Sequence, residues 1–293
     1  MRKLTFAAGL AFLAALLSFA PFSHAATTAL TLHAERASPF DLAIKGRLEG
    51  VPPGETRYVR RADLETLPSR VLTLSGEFTP GEQAVTVVLL DDLLARLPRT
   101  PDADTVIATC TDGYASIYTR EFIATHKPFL VLQINGQGPD HWPPPGMKFN
   151  PGPFVISVAD ELSPGVSALP DIGHKRPWGM DTLELADYAT RFTSLLSAPA
   201  SELPSLAAEG RELWVNSCFS CHESPGATPL GGTKAARPLP ILAMHATYNP
   251  AFFKTYVRTP TALNPAAKME PHPHYTDAQL DALIAFLKRV GTP

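Results

Sequence analysis

The short stretch CFSCHES, residues 218–224, constrains this chain more than any other part of its sequence. It places Cys218 and Cys221 three positions apart, and His222 directly follows the second cysteine. Residues at i, i+3 and i+4 share one face of a helical turn, so both thiols and the imidazole can act on one bound group. The spacing is compatible with a disulfide, a redox dithiol, a zinc site or a haem attachment site.

Haem attachment is the interpretation that the surrounding sequence favours, with a plain disulfide as the structural alternative. A thioredoxin-like dithiol needs a βαβ setting, whereas helical and loop patterns surround this motif. A zinc site needs two more ligands, and the sequence has no second cysteine pair. In a C-x-x-C-H motif the thiols form thioethers with the porphyrin and the histidine binds the iron. The prediction is that Cys218, Cys221 and His222 hold one covalent haem c.

The amino-terminal sequence indicates export. Two basic residues precede an apolar run over residues 4–20, which ends in Pro21 and the small-residue pattern SHA. This order is typical of a signal peptide, here residues 1–25, although a retained membrane anchor is the alternative. No later stretch is long and apolar enough to span a bilayer. We therefore expect a soluble periplasmic protein without stable membrane insertion.

The charge of the chain bears on its partners, and its length bears on the number of its domains. Removal of residues 1–25 changes the formal net charge from −3 to −5, and the chain has no basic block, so nucleic acid is not an expected partner. The remaining 268 residues suggest two domains. The proline-punctuated segment SAPASELPS has no hydrophobic period and is typical of a linker. We predict a domain over 26–196, a linker over 197–205 and a second domain over 206–293.

Helical patterns dominate the second domain. The segment SLAAEGRELWVNSC leads directly into the cysteine pair. Asn249 and Pro250 predict an N-cap and a first helical position, and this helix should close before Pro260. Thr276 and Gln279 have the spacing of a capping box at the start of a last amphipathic helix. A domain built from so few helices has only a small apolar core of its own. This favours a large apolar group bound at the centre of the domain.

This order of segments resembles class I cytochromes c. The shared pattern is a helix with C-x-x-C-H, a loop, a middle helix, a methionine loop and a carboxy-terminal helix reading LDALIAFL. The resemblance covers about residues 205–291 and implies an all-α cytochrome c fold. It also implies that His222 and Met269 are the axial ligands of the haem iron and that Cys218 and Cys221 are the thioether anchors.

The sixth iron ligand has alternatives. Met269 lies in NPAAKMEPHPHYTD, but Glu270 separates it from the proline that often follows the ligand in this family. Met244 lies in an apolar run and is expected to pack. His272 and His274 are the other candidates, and either would give a bis-histidine iron. The identity of the sixth ligand matters because methionine ligation raises the reduction potential of the haem iron.

Strand and short helical patterns alternate in the first domain without a βαβ rhythm, which is typical of an α+β fold. The sequence has neither a glycine-rich nucleotide loop nor a nucleophile elbow. The successive segments FDLAIKGRLEG, ADLETLP, LDDLLARL, TCTDGY, PFLVLQING and GPFVISV resemble the sulfite-oxidase-like molybdopterin-binding fold over about residues 39–192. In that family a cysteine that ends a central strand ligates molybdenum, and Cys110 stands at the matching place.

Cys110 therefore has three interpretations. It is a buried small apolar side chain, a molybdenum ligand, or a thiol that pairs with another chain. The asparagine-arginine stretch that follows the ligand in catalytic members of the family is replaced here by residues 111–114, TDGY. This departure puts molybdopterin binding in question.

Several charged residues are expected to be ordinary solvated groups. The stretch GHKRPWG, which contains His174, Lys175 and Arg176, offers groups for a phosphate or a haem propionate, but a solvated turn is the expectation. The same holds for three basic residues that could approach the propionates or a partner, Lys254, Arg258 and Lys268.

The sequence thus leads to two functions. The first is an exported monohaem c-type cytochrome that exchanges single electrons with a periplasmic redox protein or dehydrogenase subunit, with the first domain as a docking or subunit module. The alternative is a molybdopterin-dependent oxidoreductase that passes electrons from molybdenum to the haem within one chain.

Overall fold

The structure, a computed structural model, describes residues 29–78, 80–195, 204–224 and 229–290. The predicted signal peptide and most of the predicted linker lie outside these residues. No helix in the described ranges has both the length and the apolar character needed to cross a membrane.

A mixed sheet forms the framework of the amino-terminal region. Its strands are β1 (Leu42–Gly46), β2 (Thr56–Val59), β3 (Arg70–Ser75), β4 (Glu82–Leu89), β5 (Thr105–Cys110), β6 (Ala115–Thr119), β7 (Phe129–Ile134), β8 (Phe154–Ser157) and β9 (Trp178–Ala186). The strand order is β2-β1-β9-β8-β7-β4-β3, and β5 pairs with both β6 and β9. Strands β1 and β9 are parallel, whereas β5 runs antiparallel to both of its neighbours. This sheet and its short helices confirm the predicted α+β class.

Three short α-helices lie between strands of the sheet, and a fourth follows β9. They are α1 (Arg61–Leu64), α2 (Leu90–Leu94), α3 (Arg120–His126) and α4 (Tyr188–Arg191). Strand β9, which the sequence analysis did not predict, pairs with β1, β5 and β8. Gly179 and Asp181 interrupt its apolar pattern, so neither a continuous nor an alternating run marks it as a strand.

The β5–β6 hairpin is buried on both faces. Val106, Ala108 and Cys110 contribute to the core of the amino-terminal region. On the opposite face, Ile107 and Ile117 join a second cluster that includes the helices of the carboxy-terminal region. The near-continuous apolar sequence of β5 follows from this double burial. The hairpin therefore packs the two regions against each other.

The carboxy-terminal region is helical, as predicted. Its helices are α5 (Ser205–Asn216), α6 (Leu239–Tyr248), α7 (Pro250–Arg258), α8 (Pro260–Leu263) and α9 (Asp277–Val290). The Asn249 side chain accepts a hydrogen bond from the backbone N–H of Phe252 at 3.1 Å, which confirms the predicted N-cap. Reciprocal bonds of 3.2 and 2.9 Å between Thr276 and Gln279 confirm the capping box.

Helices α5 and α9 approach each other closely at Gly210. A Cβ atom at this position would overlap the backbone carbonyl of Ala282 in α9. Glycine costs about 1 kcal/mol relative to alanine inside a helix, so helix propensity does not explain it. The contact explains why a glycine stands in the middle of an otherwise helix-forming segment.

We predict that Gly210→Ala destabilises the protein by about 1–3 kcal/mol, because the added methyl group forces the two helices apart. Chemical denaturation of the haem-loaded protein measures the effect. Gly173→Ala is the matched control, since a Cβ at Gly173 would contact nothing within 4 Å. A stabilising effect at Gly210, which helix propensity alone predicts, would contradict the close contact.

Candidate haem site

The C-x-x-C-H motif begins directly after α5. Residues Cys218–Ser220 form a turn of 3-10 helix, and the backbone N–H of His222 donates to the carbonyl of Cys218 at 2.9 Å. Cys218 and Cys221 are both free and partly exposed. The motif therefore forms a compact helical turn, the local geometry that its spacing predicts.

One hydrogen bond fixes the state of His222. Its Nδ1 atom lies 2.7 Å from the backbone carbonyl oxygen of Arg237. A carbonyl oxygen only accepts, so Nδ1 carries the proton and Nε2 keeps its lone pair. Burial lowers the pKa of His222, although the Arg237 carbonyl opposes this effect. A metal-bound histidine is usually a neutral imidazole that binds the metal through one nitrogen and donates a hydrogen bond from the other to a carbonyl or carboxylate.

The two thiols do not fit a redox dithiol. Burial raises the pKa of Cys218 to about 12, and burial also raises the pKa of Cys221. Dithiol oxidoreductases depend on a thiolate whose pKa is lowered by its surroundings. The thiols of this motif are therefore suited to a covalent or structural role.

Buried polar atoms near the motif indicate whether the residues around it could accommodate a haem. The indole Nε1 of Trp214 and the hydroxyl of Ser224 are buried and have no hydrogen-bond partner among the described residues. The Trp214 ring centroid lies 6.1 Å from that of His222. A buried unpaired polar group costs about 1–3 kcal/mol, so natural proteins rarely retain one. A haem, which combines a broad apolar face with polar carboxylates, fits this set of residues.

A glycine-containing loop, residues 231–235, packs against the backbone of the motif; we call it the glycine loop. The backbone N–H of Gly232 donates to Phe219 at 2.8 Å, and that of Ala235 donates to Cys221 at 2.9 Å. A Cβ at Gly232 would overlap the carbonyl group of Ser220. Only glycine allows the two backbones to come this close.

The glycine loop also contacts the Cys110 turn, residues 110–114, which connects β5 to β6. The backbone N–H of Thr233 donates to the carbonyl of Gly113 at 2.7 Å. Lys234 forms an ion pair of 2.6 Å with Asp112. One loop thus lies between the C-x-x-C-H motif and the strand end that carries Cys110.

Cys110 is a buried side chain of the amino-terminal core, with 4% of its surface exposed. Burial, followed by the nearby Asp112 charge, raises the pKa of its thiol to about 12. Molybdenum ligation needs a thiol that the metal and its pterin can reach, whereas this thiol is buried and the adjoining turn is covered by Thr233 and Lys234. The residues around Cys110 therefore do not fit a molybdenum site.

A cleft in the described part of the chain lies away from Cys110 and from the C-x-x-C-H motif. It has a volume of about 890 Å³, opens between α3 and α5, and is lined by residues such as Arg120, His126, Glu212 and Asn216. Neither Cys110 nor the C-x-x-C-H motif lines it.

Met269 as the sixth ligand stays a prediction. It packs against the same apolar cluster as Cys218. Met244 is 46% exposed on α6, so the expectation that it packs is wrong. His272 and His274 both contact Asp171, with nitrogen–oxygen distances of 3.2 and 3.1 Å. The structure thus directs both histidines toward a carboxylate of the amino-terminal region.

The expectation of a solvated turn at GHKRPWG is wrong for His174 and Lys175, each of which is only 6% exposed. The Lys175 ammonium donates to the carbonyl of Ile117 at 2.7 Å and to the Asn216 side chain at 3.2 Å. Burial lowers its pKa to about 7. These bonds link the segment to β6 and to α5, which is why it is buried.

Two of the three basic residues that could approach the propionates or a partner form ion pairs. Lys254 lies 2.8 Å from Asp281, and Arg258 lies 2.7 Å from Asp277, both in α9. These contacts hold α7 against α9.

Comparison with known proteins identifies the carboxy-terminal region. Residues 205–287 match the protein family described as cytochrome c oxidase, cbb3-type, subunit III. This region is therefore a cytochrome c domain, which implies haem c and electron transfer. No curated protein matches the chain.

Among solved structures, the sulfane dehydrogenase SoxCD from Paracoccus pantotrophus is similar at 18% sequence identity, with a TM-score of 0.35. The match covers 53% of this chain and 40% of that one. This chain therefore spans well under two thirds of that structure.

We predict that Met269→Ala removes the weak red-end absorption of a methionine-ligated ferric haem and lowers the reduction potential, because the iron loses its thioether ligand. Absorption spectra of the oxidised protein test this. Met244→Ala and His272→Ala should retain the band. Its survival in Met269→Ala would show that another residue binds the iron.

Proposed function

We propose that this protein is an exported monohaem c-type cytochrome that exchanges single electrons with a redox partner. The observation that carries the proposal is the state of His222, whose Nδ1 is bonded to Arg237 while Nε2 keeps its lone pair. The cytochrome family match over residues 205–287 supports the same function.

Four residues would hold the haem in this proposal. Cys218 and Cys221 would form the thioethers, and His222 and Met269 would bind the iron. The group would supply a one-electron change between ferric and ferrous iron. The protein would orient His222 through Arg237 and surround the haem with the apolar cluster between α5 and α9.

The amino-terminal domain is proposed to be a docking or subunit module. Two contacts support its fixed placement on the cytochrome domain: the apolar face of the β5–β6 hairpin and the ion pair between Lys234 and Asp112. The partner would be a periplasmic redox protein or a dehydrogenase subunit. Periplasmic placement depends on the signal peptide predicted at residues 1–25.

The carrier is favoured over the molybdenum enzyme because of Cys110. Its thiol is 4% exposed, and the adjoining turn is bonded to the glycine loop. A catalytic molybdenum would need an open cavity at this strand end for its pterin and its substrate.

The elemental composition of the purified protein distinguishes the electron carrier from the molybdenum enzyme. We predict one iron per chain and a molybdenum-to-iron ratio near zero, by elemental mass spectrometry of protein from a host that supplies haem attachment and pterin cofactor. A known molybdoenzyme made in the same host is the loading control. Cys110→Ser should leave the composition unchanged. A ratio near one that falls on Cys110→Ser would establish the two-centre enzyme instead.

A further inference from the structure

Two histidines and a carboxylate meet where the two domains touch. Asp171 and His174 belong to the amino-terminal domain, and His272 belongs to the loop before α9. One ligand atom from each residue lies within 4.8 Å of the other two. Both histidines are 6% exposed. This set of side chains lies outside the four residues assigned to the haem.

The amino-terminal half of the cluster is held by specific contacts. Asp171 has a left-handed backbone (φ 58°), which is uncommon for a residue other than glycine. Its carbonyl accepts the backbone N–H of His174 at 2.9 Å, so the two side chains belong to one tight turn. The Tyr114 hydroxyl lies 2.7 Å from Nδ1 of His174. Nε2 is therefore the nitrogen of His174 that is left for a ligand.

The cytochrome half is positioned by its own backbone. The N–H of His272 donates to the carbonyl of Val257 in α7 at 3.0 Å. Its ring stacks almost parallel to that of Tyr275, with 5.2 Å between centroids. Nδ1 of His272 and Nε2 of His274 both lie close to Oδ1 of Asp171, while the Tyr275 hydroxyl donates to Oδ2. The carboxylate is thus surrounded by donors from the other domain.

We propose that Asp171, His174 and His272 bind one divalent first-row transition cation, such as Zn²⁺, between the two domains. Two imidazole nitrogens and one carboxylate oxygen are a ligand set that suits zinc and related metals. A tetrahedral zinc with bonds of about 2.0–2.1 Å separates its ligand atoms by about 3.4 Å. The present spacing is at most 4.8 Å, so modest side-chain rotation closes the site.

The surroundings suit a bound cation. The Tyr114 hydroxyl on Nδ1 of His174 fixes the orientation of the ring, so that Nε2 can bind the metal. His274 is 40% exposed and lies beside the cluster, so its imidazole or a water molecule can complete the coordination. The buried ammonium of Lys175 donates to Ile117 and to Asn216, so it is already paired outside the cluster.

The site has a structural consequence because its ligands come from both domains. Residues 171 and 272 are 101 positions apart in the chain and meet only when the domains are docked. A bound cation therefore stabilises the docked arrangement by mass action.

Zinc binding to the full-length, haem-loaded protein tests the proposal. After treatment with a chelator, the protein should take up one Zn²⁺ per chain in equilibrium dialysis, measured beside the iron by elemental analysis. His174→Gln should weaken zinc binding by more than about 100-fold, since loss of a group that only hydrogen-bonds to a metal ligand already costs roughly 10–100-fold. Tyr114→Phe, which removes only the positioning hydroxyl, should weaken it by about 10-fold.

His141→Gln is the matched control because His141 is 65% exposed and contacts Asp140, not the cluster. This variant should bind zinc as the unchanged protein does. Haem absorption and circular dichroism of each variant show whether it is folded. Equal zinc binding by folded His174→Gln, or no binding by the unchanged protein, would overturn the proposal. The zinc result is separate from the iron content, so it can fail without affecting the proposed cytochrome function.

Discussion

Close backbone packing at the glycine loop links the haem-binding motif to the rest of the molecule. On one side, residues 231–235 bond to the backbone of the C-x-x-C-H turn; on the other, Thr233 bonds to Gly113 of the Cys110 turn. A side chain at position 232 would overlap the carbonyl of Ser220 and push the glycine loop away from the C-x-x-C-H motif. The position of the motif relative to the sheet therefore depends on glycine at this loop.

The amino-terminal and carboxy-terminal regions differ in fold, but apolar side chains from both belong to one buried cluster. Strand β5 places alternate side chains into the amino-terminal core and into the cluster shared with the helices. Lys175 adds a buried polar link between β6 and α5. Burial of apolar surface contributes about 25 cal/mol per Å², so a shared cluster strongly favours the docked arrangement. An electron carrier gains from this rigidity, because its redox group then faces partners in one orientation.

Short sequence motifs made much of the cytochrome domain predictable. The cap at Asn249, the capping box at Thr276 and the turn at Cys218 each depend on residues only a few positions apart. Burial of His174 and Lys175 was not predictable, because their partners lie in β6, α5 and the loop before α9. The need for glycine at position 210 was not predictable either, because it comes from the backbone of α9. Such long-range contacts leave no periodic signal in the sequence.

The proposed function requires that the C-x-x-C-H motif of this chain carries one covalently bound haem. The first experiment is therefore to measure the mass of the denatured intact protein, purified from a host that attaches haem. We expect the chain to be heavier by one haem than its Cys218→Ala, Cys221→Ala double variant, after allowance for the substitutions, and we expect that reductant does not release the added mass. A chain without that added mass, with the two cysteines joined as a disulfide, would show that the motif does not hold a haem.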